Sequence, residues 1–401
     1  MSSRASPRLA LGFSSVAHSY SHLFMVLYPT VVLALEPVFA MAYGDLLLLA
    51  VAGNVLFGAM ALPAGWLGDR WSAEGMMAIF FLGTGAAAIL TGLASSPLGL
   101  GLGLASIGFF ASIYHPVGIA WLVRNAVNRG RALGINGIFG NLGTAGAALV
   151  AGALTELVDW RAAFIVPGVV CVVTGVAFLA LVRGGRIAAA AVDRKPEPPA
   201  SRSDMVRAFW VLSLTMLITG VVYQVVQWSL PKLVEERVVG AGTGVGVTGG
   251  VVSLVFLFAI GSQILGGWLA DRFDLRKVYL LAFLVQAPLL LGLALASGAA
   301  VVPVAVALVF VNTGNTPGEN ALLARYAPAR WRATAFGAKF VLALGVAAAS
   351  TALVAAVHSW TGSFAPLLGG LALLASIAAV TAAGLPRATA PRSAPVPVPA
   401  E

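Results

Sequence analysis

Gly65-Trp66-Leu67-Gly68-Asp69-Arg70-Trp71 recurs as Gly267-Trp268-Leu269-Ala270-Asp271-Arg272-Phe273, an offset of 202 residues. Two further matches keep almost the same spacing. Leu27-Tyr28-Pro29 aligns with Ser229-Leu230-Pro231, and Pro116 aligns with Pro317, which also brings Arg124 onto Arg325 and Arg131 onto Arg332. Anchors spread over each half at one spacing read as an internal duplication, with two similar units in the same orientation.

The residues around these anchors are overwhelmingly apolar. Of 401 residues, 59% are hydrophobic, 46 are glycine and only 10% are charged. An ordinary soluble domain has about 25% charged residues. With 24 basic and 15 acidic side chains the chain cannot coat a water-soluble body of this size. A soluble enzyme, a secreted disulfide scaffold and a disordered chain are therefore excluded, and a polytopic membrane protein is indicated. The one cysteine, Cys171, has no partner for an internal disulfide and lies in an apolar run, where a buried, inert thiol is expected.

A spanning helix needs about 20 mostly apolar residues. Such runs occupy 11–35, 45–67, 76–95, 98–122, 132–154, 162–182, 208–231, 247–270, 278–297, 301–324, 333–357 and 363–385. Uninterrupted runs without strand alternation argue against a membrane barrel. The expected fold is an all-α membrane protein with twelve transmembrane helices in two pseudo-symmetric six-helix bundles. The expected organisation is an N-terminal half at 1–183, a flexible cytoplasmic linker at 184–206, a C-terminal half at 207–385 and a disordered cytoplasmic tail at 386–401. The small residues at 38–42 do not mark a cleaved signal, because the preceding run is too long for one.

Placing the N-terminus in the cytoplasm puts 20 of the 24 basic residues on the inner side and Arg161, Lys232 and Arg237 outside, while Lys339 falls within a span. That bias predicts a multi-pass protein of a bacterial inner (plasma) membrane with both termini cytoplasmic. Parallel repeats predict a substrate site near the bilayer midplane, between the halves.

Twelve spans, a central cytoplasmic linker and the Gly-x-Leu-x-Asp-Arg signature after spans 2 and 8 resemble the major facilitator superfamily. Within it, Ser106-Ile107-Gly108 through Tyr114-His115-Pro116, together with Gly140-Asn141-Leu142-Gly143, resemble the fosmidomycin-resistance branch. Drug/proton antiporters of the superfamily carry a Gly-Pro motif in span 5 and an arginine inside span 4. Ala147 and Ala105 stand near those places here, a departure from the standard antiport pattern.

A carboxylate at a helix end pairs with arginines of a neighbouring loop. Asp69 beside Arg70, with Arg124 or Arg131, and Asp271 beside Arg272, with Arg325 or Arg332, are therefore candidate gating residues that latch the halves in the outward-open state. The resemblance implies the same role. A static structural pair is the alternative.

Titratable groups inside spans are costly and point to function. His18 and His22 are one turn apart in span 1, and His22 is roughly 16 Å from the inner end. The repeat matches His22 to Gln224, which has Gln227 on nearly the same face. The resemblance implies that the first helix of each half lines the cavity. His115 precedes Pro116, where a kink exposes carbonyl groups. Glu319 and Lys339 lie at similar depth and are expected to pair, as a switch or as a fixed ion pair. These seven residues are the candidate substrate- and proton-binding set.

Other features carry plainer expectations. Gly134, Gly137, Gly140, Gly143 and Gly146, with Gly99, Gly101 and Gly103, suit close helix packing. Tyr43, Trp160 and Trp360 suit the membrane interface. No zinc-type ligand spacing, phosphate-binding loop or nucleophile elbow occurs, so neither a metal, a cofactor nor an enzymatic activity is expected. The expected function is secondary transport of a small organic compound by alternating access, as proton-coupled efflux. The expected partners are that substrate, protons and the lipid bilayer, with no nucleic acid, around a monomer. A proton-coupled importer of an organic acid and a non-transporting sensor on the same fold are the rivals.

Overall fold

The computed structural model describes residues 6–126, 129–187, 201–240, 243–327 and 332–386; within these, the side chains of 129–131, 332–338, 340–341 and 343–344 lie outside the described residues. Residues 188–200 of the linker and the tail beyond 386 also lie outside them.

The chain forms the spans α1 (Pro7–Ala34), α2 (Tyr43–Arg70), α3 (Ala73–Gly92), α4 (Pro97–Asn125), α5 (Arg129–Leu157) and α6 (Ala162–Arg183). The second bundle holds α7 (Arg202–Val239), α8 (Val245–Arg272), α9 (Leu275–Leu295), α10 (Gly298–Tyr326), α11 (Arg332–Thr361) and α12 (Ala365–Ala382). Among the described residues eleven helices are long and apolar enough to cross a membrane, and α11, 30 residues long, completes the twelve. Most helices overrun the apolar windows, because helical hydrogen bonding continues into the polar interface after hydropathy falls. The largest overrun is at α7, which begins at Arg202, inside the expected linker; Ser201 caps it by accepting the Asp204 N–H at 3.2 Å.

Lipid is the solvent for the outer faces, so large apolar side chains point outward. Leu90 is 66% exposed, Val173 63% and Val380 78%, which in water would be an aggregating surface. Trp360 is exposed, whereas the interface expectation fails for Tyr43 and Trp160, which are 3% and 4% exposed. Trp160 instead packs against Phe39 and Phe164, and Tyr43 lies where the two bundles meet.

The duplicated signature produces the same local geometry twice. Arg70 lies over the Trp66 ring at 4.6 Å, and Arg272 lies over Trp268 at 5.6 Å. In the first copy, a Cβ on Gly68 would come within 2.8 Å of Val117, so the glycine lets α2 cross α4 closely.

The span-5 glycines divide. Gly140 lies against the His18 ring and Gly143 against the Ser19 backbone, joining α5 to α1. Gly134, Gly137 and Gly146 have open space where a Cβ would stand, so the packing expectation fails for them. Gly103 lies against Thr91, whereas Gly99 and Gly101 have only looser neighbours.

Candidate functional site

The bundles meet at one end, the end that the basic-residue bias predicts to face outside. Here α5 and α8 cross through glycines. A Cβ on Gly249 would overlap the Ala148 carbonyl oxygen, and one on Gly152 would lie 2.6 Å from the Val245 carbonyl oxygen. Gly246 N–H donates to Glu156 Oε2 at 2.6 Å. Deeper in, Asn54 Nδ2 of α2 donates to Thr351 Oγ1 of α11 at 2.8 Å, and both residues are buried.

A charged cluster closes the same end. Lys232 Nζ lies 2.8 Å from Glu235 and 3.8 Å from Glu36 across the junction. Glu36 also accepts the Tyr43 N–H at 3.0 Å, and Lys232 sits 5.3 Å from the Tyr43 ring centre. His358 Nε2 is 2.8 Å from Glu236 Oε1. At the opposite end, no hydrogen bond or ion pair joins the bundles among the described residues.

Behind this closure lies a small cavity of about 40 Å³ between the bundles. His22, Asn54 and His115 line it from the first half, and Gln224, Gln227 and Trp228 from the second. The structure therefore brings together residues that the repeat paired, His22 and Gln224. Ser21 Oγ and Gln227 Nε2, both in this lining, are buried without a protein hydrogen-bond partner. Buried polar groups left so are unusual and mark where a ligand atom can bind.

The three histidines form one cluster. Their ring centres are 4.9 Å (His18–His22), 5.4 Å (His18–His115) and 5.5 Å (His22–His115) apart. Helical periodicity supplies the first pair. The third arrives through α4, whose helix is broken by a π-helical turn at Tyr114–Gly118. Pro116 cannot donate a backbone hydrogen bond, and such a wide turn accommodates its loss. His18 Nδ1 donates to the Asn136 carbonyl at 2.8 Å. The Asn136 side chain in turn bonds Tyr114 and Ser14, with Nδ2 donating to the Tyr114 hydroxyl at 2.8 Å and to Ser14 Oγ at 3.3 Å. His22 Nδ1 lies 3.3 Å from Thr144 Oγ1.

Glu319 and Lys339 meet in the second bundle. Lys339 Nζ is 2.7 Å from Glu319 Oε1 and donates to Asn320 Oδ1 at 2.6 Å. The Tyr279 hydroxyl, 2.9 Å from Thr215 Oγ1, donates to Glu319 Oε2 at 3.0 Å. All of Glu319, Lys339 and Tyr279 are under 9% exposed, so this is a buried, hydrogen-bonded ion pair.

The candidate gating residues lie elsewhere. Arg124 and Asp69 approach only to 3.9 Å, with the Asp69 side chain 77% exposed, and the pair joins α4 to α2 within one bundle. It therefore does not bridge the halves in this conformation. Among the described residues Asp271 makes no ion pair with Arg325, whose guanidinium lies over the Tyr326 ring at 5.9 Å. The side chains of Arg131 and Arg332 fall outside the described residues.

Sequence reasoning missed Asn54, Asn136, Tyr279, Asn320 and Thr351. An uncharged polar residue in an apolar run gives a weak signal, and each acts on a different helix, which local spacing does not show. It also expected no metal-ligand cluster, because local spacing cannot show that a kinked α4 delivers His115 to an i, i+4 pair on α1.

Against known proteins, the model of the Major Facilitator Superfamily matches residues 11–348. It identifies the superfamily and no branch within it. A 113-residue stretch is 34% identical to the puromycin resistance protein pur8 of Streptomyces alboniger, covering 27% of this chain and 22% of that protein's length. The fold is similar to a bacterial homologue of the human lysosomal transporter Spinster in an inward-facing, unoccupied conformation, with TM-score 0.71, 15% identity and 94% of each chain covered. It is also similar to a peptide transporter, POT, in complex with sulfate, with TM-score 0.76, 16% identity and the same coverage. At such identities the likeness is one of fold.

Proposed function

The chain belongs to the Major Facilitator Superfamily, and from that premise we propose that it is a proton-coupled secondary transporter exporting a small organic compound by alternating access. The observation that carries this reading is the cavity between the bundles, closed at one end and lined by Ser21 Oγ and Gln227 Nε2 without protein partners. His22, Gln224 and Gln227 supply hydrogen bonds from both halves, and Trp228 supplies an apolar face. A ligand touching both halves couples its binding to their relative orientation.

Glu319 and Lys339 carry the proton step in this reading. An ion pair buried in the bilayer is costly, and breaking it by removing one partner leaves an uncompensated charge. A proton on Glu319 frees Lys339 from its partner, so protonation and repacking of α10 against α11 are linked. The charge bias supports cytoplasmic termini, and in this reading the closed end is extracytoplasmic and the conformation inward-open. Export is favoured over import by the resistance relative, whose similarity covers a limited segment.

Purified protein in liposomes tests the proposal. An imposed pH gradient should move substrate against the proton flow, and dissipating the gradient should stop net movement. Flow in the same direction as protons would replace export with symport. A protein that moves no compound under any gradient would be a sensor on this fold.

A further inference from the structure

We propose that His18, His22 and His115 form a binding site for one borderline divalent transition-metal ion, of the zinc, cobalt or nickel class, on the wall of the cavity. The proposal goes beyond organic transport and does not depend on it. One nitrogen from each of the three rings lies within 4.8 Å of the other two.

The bite is close to what a metal needs. Metal–imidazole bonds of about 2.0–2.1 Å in a tetrahedral site put neighbouring nitrogens about 3.3–3.4 Å apart. His22 Nε2 and His18 Nε2 are already 3.2 Å apart. They come from i and i+4 of one helix, which fixes the chelate before an ion arrives. His115 closes on this pair from α4, within the 4.8 Å limit, so a small rotation about its side-chain bonds completes three-coordination.

The outer hydrogen bonds suit ligation as well. The His18 Nδ1–H donates to the Asn136 carbonyl at 2.8 Å, which leaves the lone pair on Nε2, facing the cluster. Asn136 is itself held by Tyr114 and Ser14, so the ring's orientation is built in. His22 Nε2 donates to His18 Nε2 at 3.2 Å, and on metal binding that proton moves to Nδ1, where Thr144 Oγ1 lies 3.3 Å away to accept it. Thr144 passes its own hydrogen to the Gly140 carbonyl at 3.4 Å. Imidazole nitrogen with no carboxylate or thiolate selects zinc, nickel or cobalt over magnesium or calcium, which require oxygen. His22 and His115 line the cavity, so an ion has an entry path. With three protein ligands the fourth position faces that cavity and takes water or an oxygen of whatever the cavity holds.

The test uses full-length protein purified in detergent without a polyhistidine tag and titrated with cobalt(II) chloride. One equivalent should bind and give the strong visible absorption of a four-coordinate cobalt site, and zinc chloride should displace it. His22→Ala and His115→Ala should each weaken binding at least about tenfold, and Asn136→Ala should weaken it by about 10–100-fold while leaving all three ligands in place. Cys171→Ala should leave the spectrum unchanged, because that thiol is buried and donates to the Phe81 carbonyl at 3.3 Å, away from the cluster. Thermal melting of each variant separates lost binding from lost folding. No stoichiometric binding to the native chain, or a spectrum unaltered in folded His22→Ala or His115→Ala, overturns the proposal.

Discussion

The two bundles share an architecture but treat the membrane interior in opposite ways. The first half holds three imidazoles and an asparagine–tyrosine–serine network with no formal charge required. The second holds a full ion pair, Glu319–Lys339, satisfied by Tyr279 and Asn320. Under the repeat, Glu319 stands where the first half has Gly118, and Lys339 where it has Ile138. The duplication therefore preserved the helix-packing signature, down to an arginine stacked on tryptophan in both copies, while the polar chemistry at depth diverged. Packing constrains many neighbours at once, whereas a single polar group needs only one partner. One half can thus specialise in neutral ligation and the other in charge.

The largest effect should come from breaking the charged side. Glu319→Gln leaves Lys339 buried without its counter-ion and should destabilise the protein by about 3–5 kcal/mol, read by thermal melting in detergent. It should also abolish proton-driven transport. Glu319→Gln combined with Lys339→Met should recover most of the melting temperature without recovering transport. Recovery of both would reduce the pair to structure.

Holding the halves apart sharpens the contrast next. Gly249→Leu places a side chain against the Ala148 carbonyl and should cost the closed end about 1–3 kcal/mol. That cost shifts a two-state equilibrium by about 5–150-fold toward the form open at that end. Spin labels on α2 and α11 at that end should move apart, and an unchanged separation would contradict the closure described here.

On the neutral side, Asn136→Ala removes the partner of the Tyr114 hydroxyl and Ser14. It should cost about 1–3 kcal/mol of stability, less than the charged substitution, because no ion is left exposed to the low dielectric. A loss equal to that of Glu319→Gln would erase the distinction between the halves.

The smallest effect belongs to the signature itself. Asp69 meets Arg124 at 3.9 Å in an exposed position, where pairs contribute about 0–1 kcal/mol. Asp69→Asn should lower the transport rate in vesicles by no more than about fivefold with expression intact. Asp271→Asn, whose carboxylate lacks the matching pair to Arg325, should change the structure's stability less still.

The fold was legible in the sequence because hydropathy and duplication are read over long windows, and an error of a few residues, as at Arg202, changes nothing essential. The Glu319–Lys339 pair was legible too, since two charges at matched depth in lipid leave few alternatives. The closure between the bundles was not. Gly152 and Gly249 looked like any other glycines, and only the crossing of α5 and α8 distinguishes them from Gly146, which has open space where a Cβ would stand. Tyr43 misled in the same way. Position near a span end suggested the interface, but contact with Lys232 and His358 from the other half decides its burial.

The glycine crossing of α5 and α8 also bears on heat. A closure made by interlocking long side chains freezes their rotamers, at up to about 1.5–2 kcal/mol of entropy each. Bare backbone against bare backbone has no rotamers to lose. Opening and closing at this crossing therefore releases and recaptures little side-chain disorder, and the balance between its two positions is correspondingly insensitive to temperature.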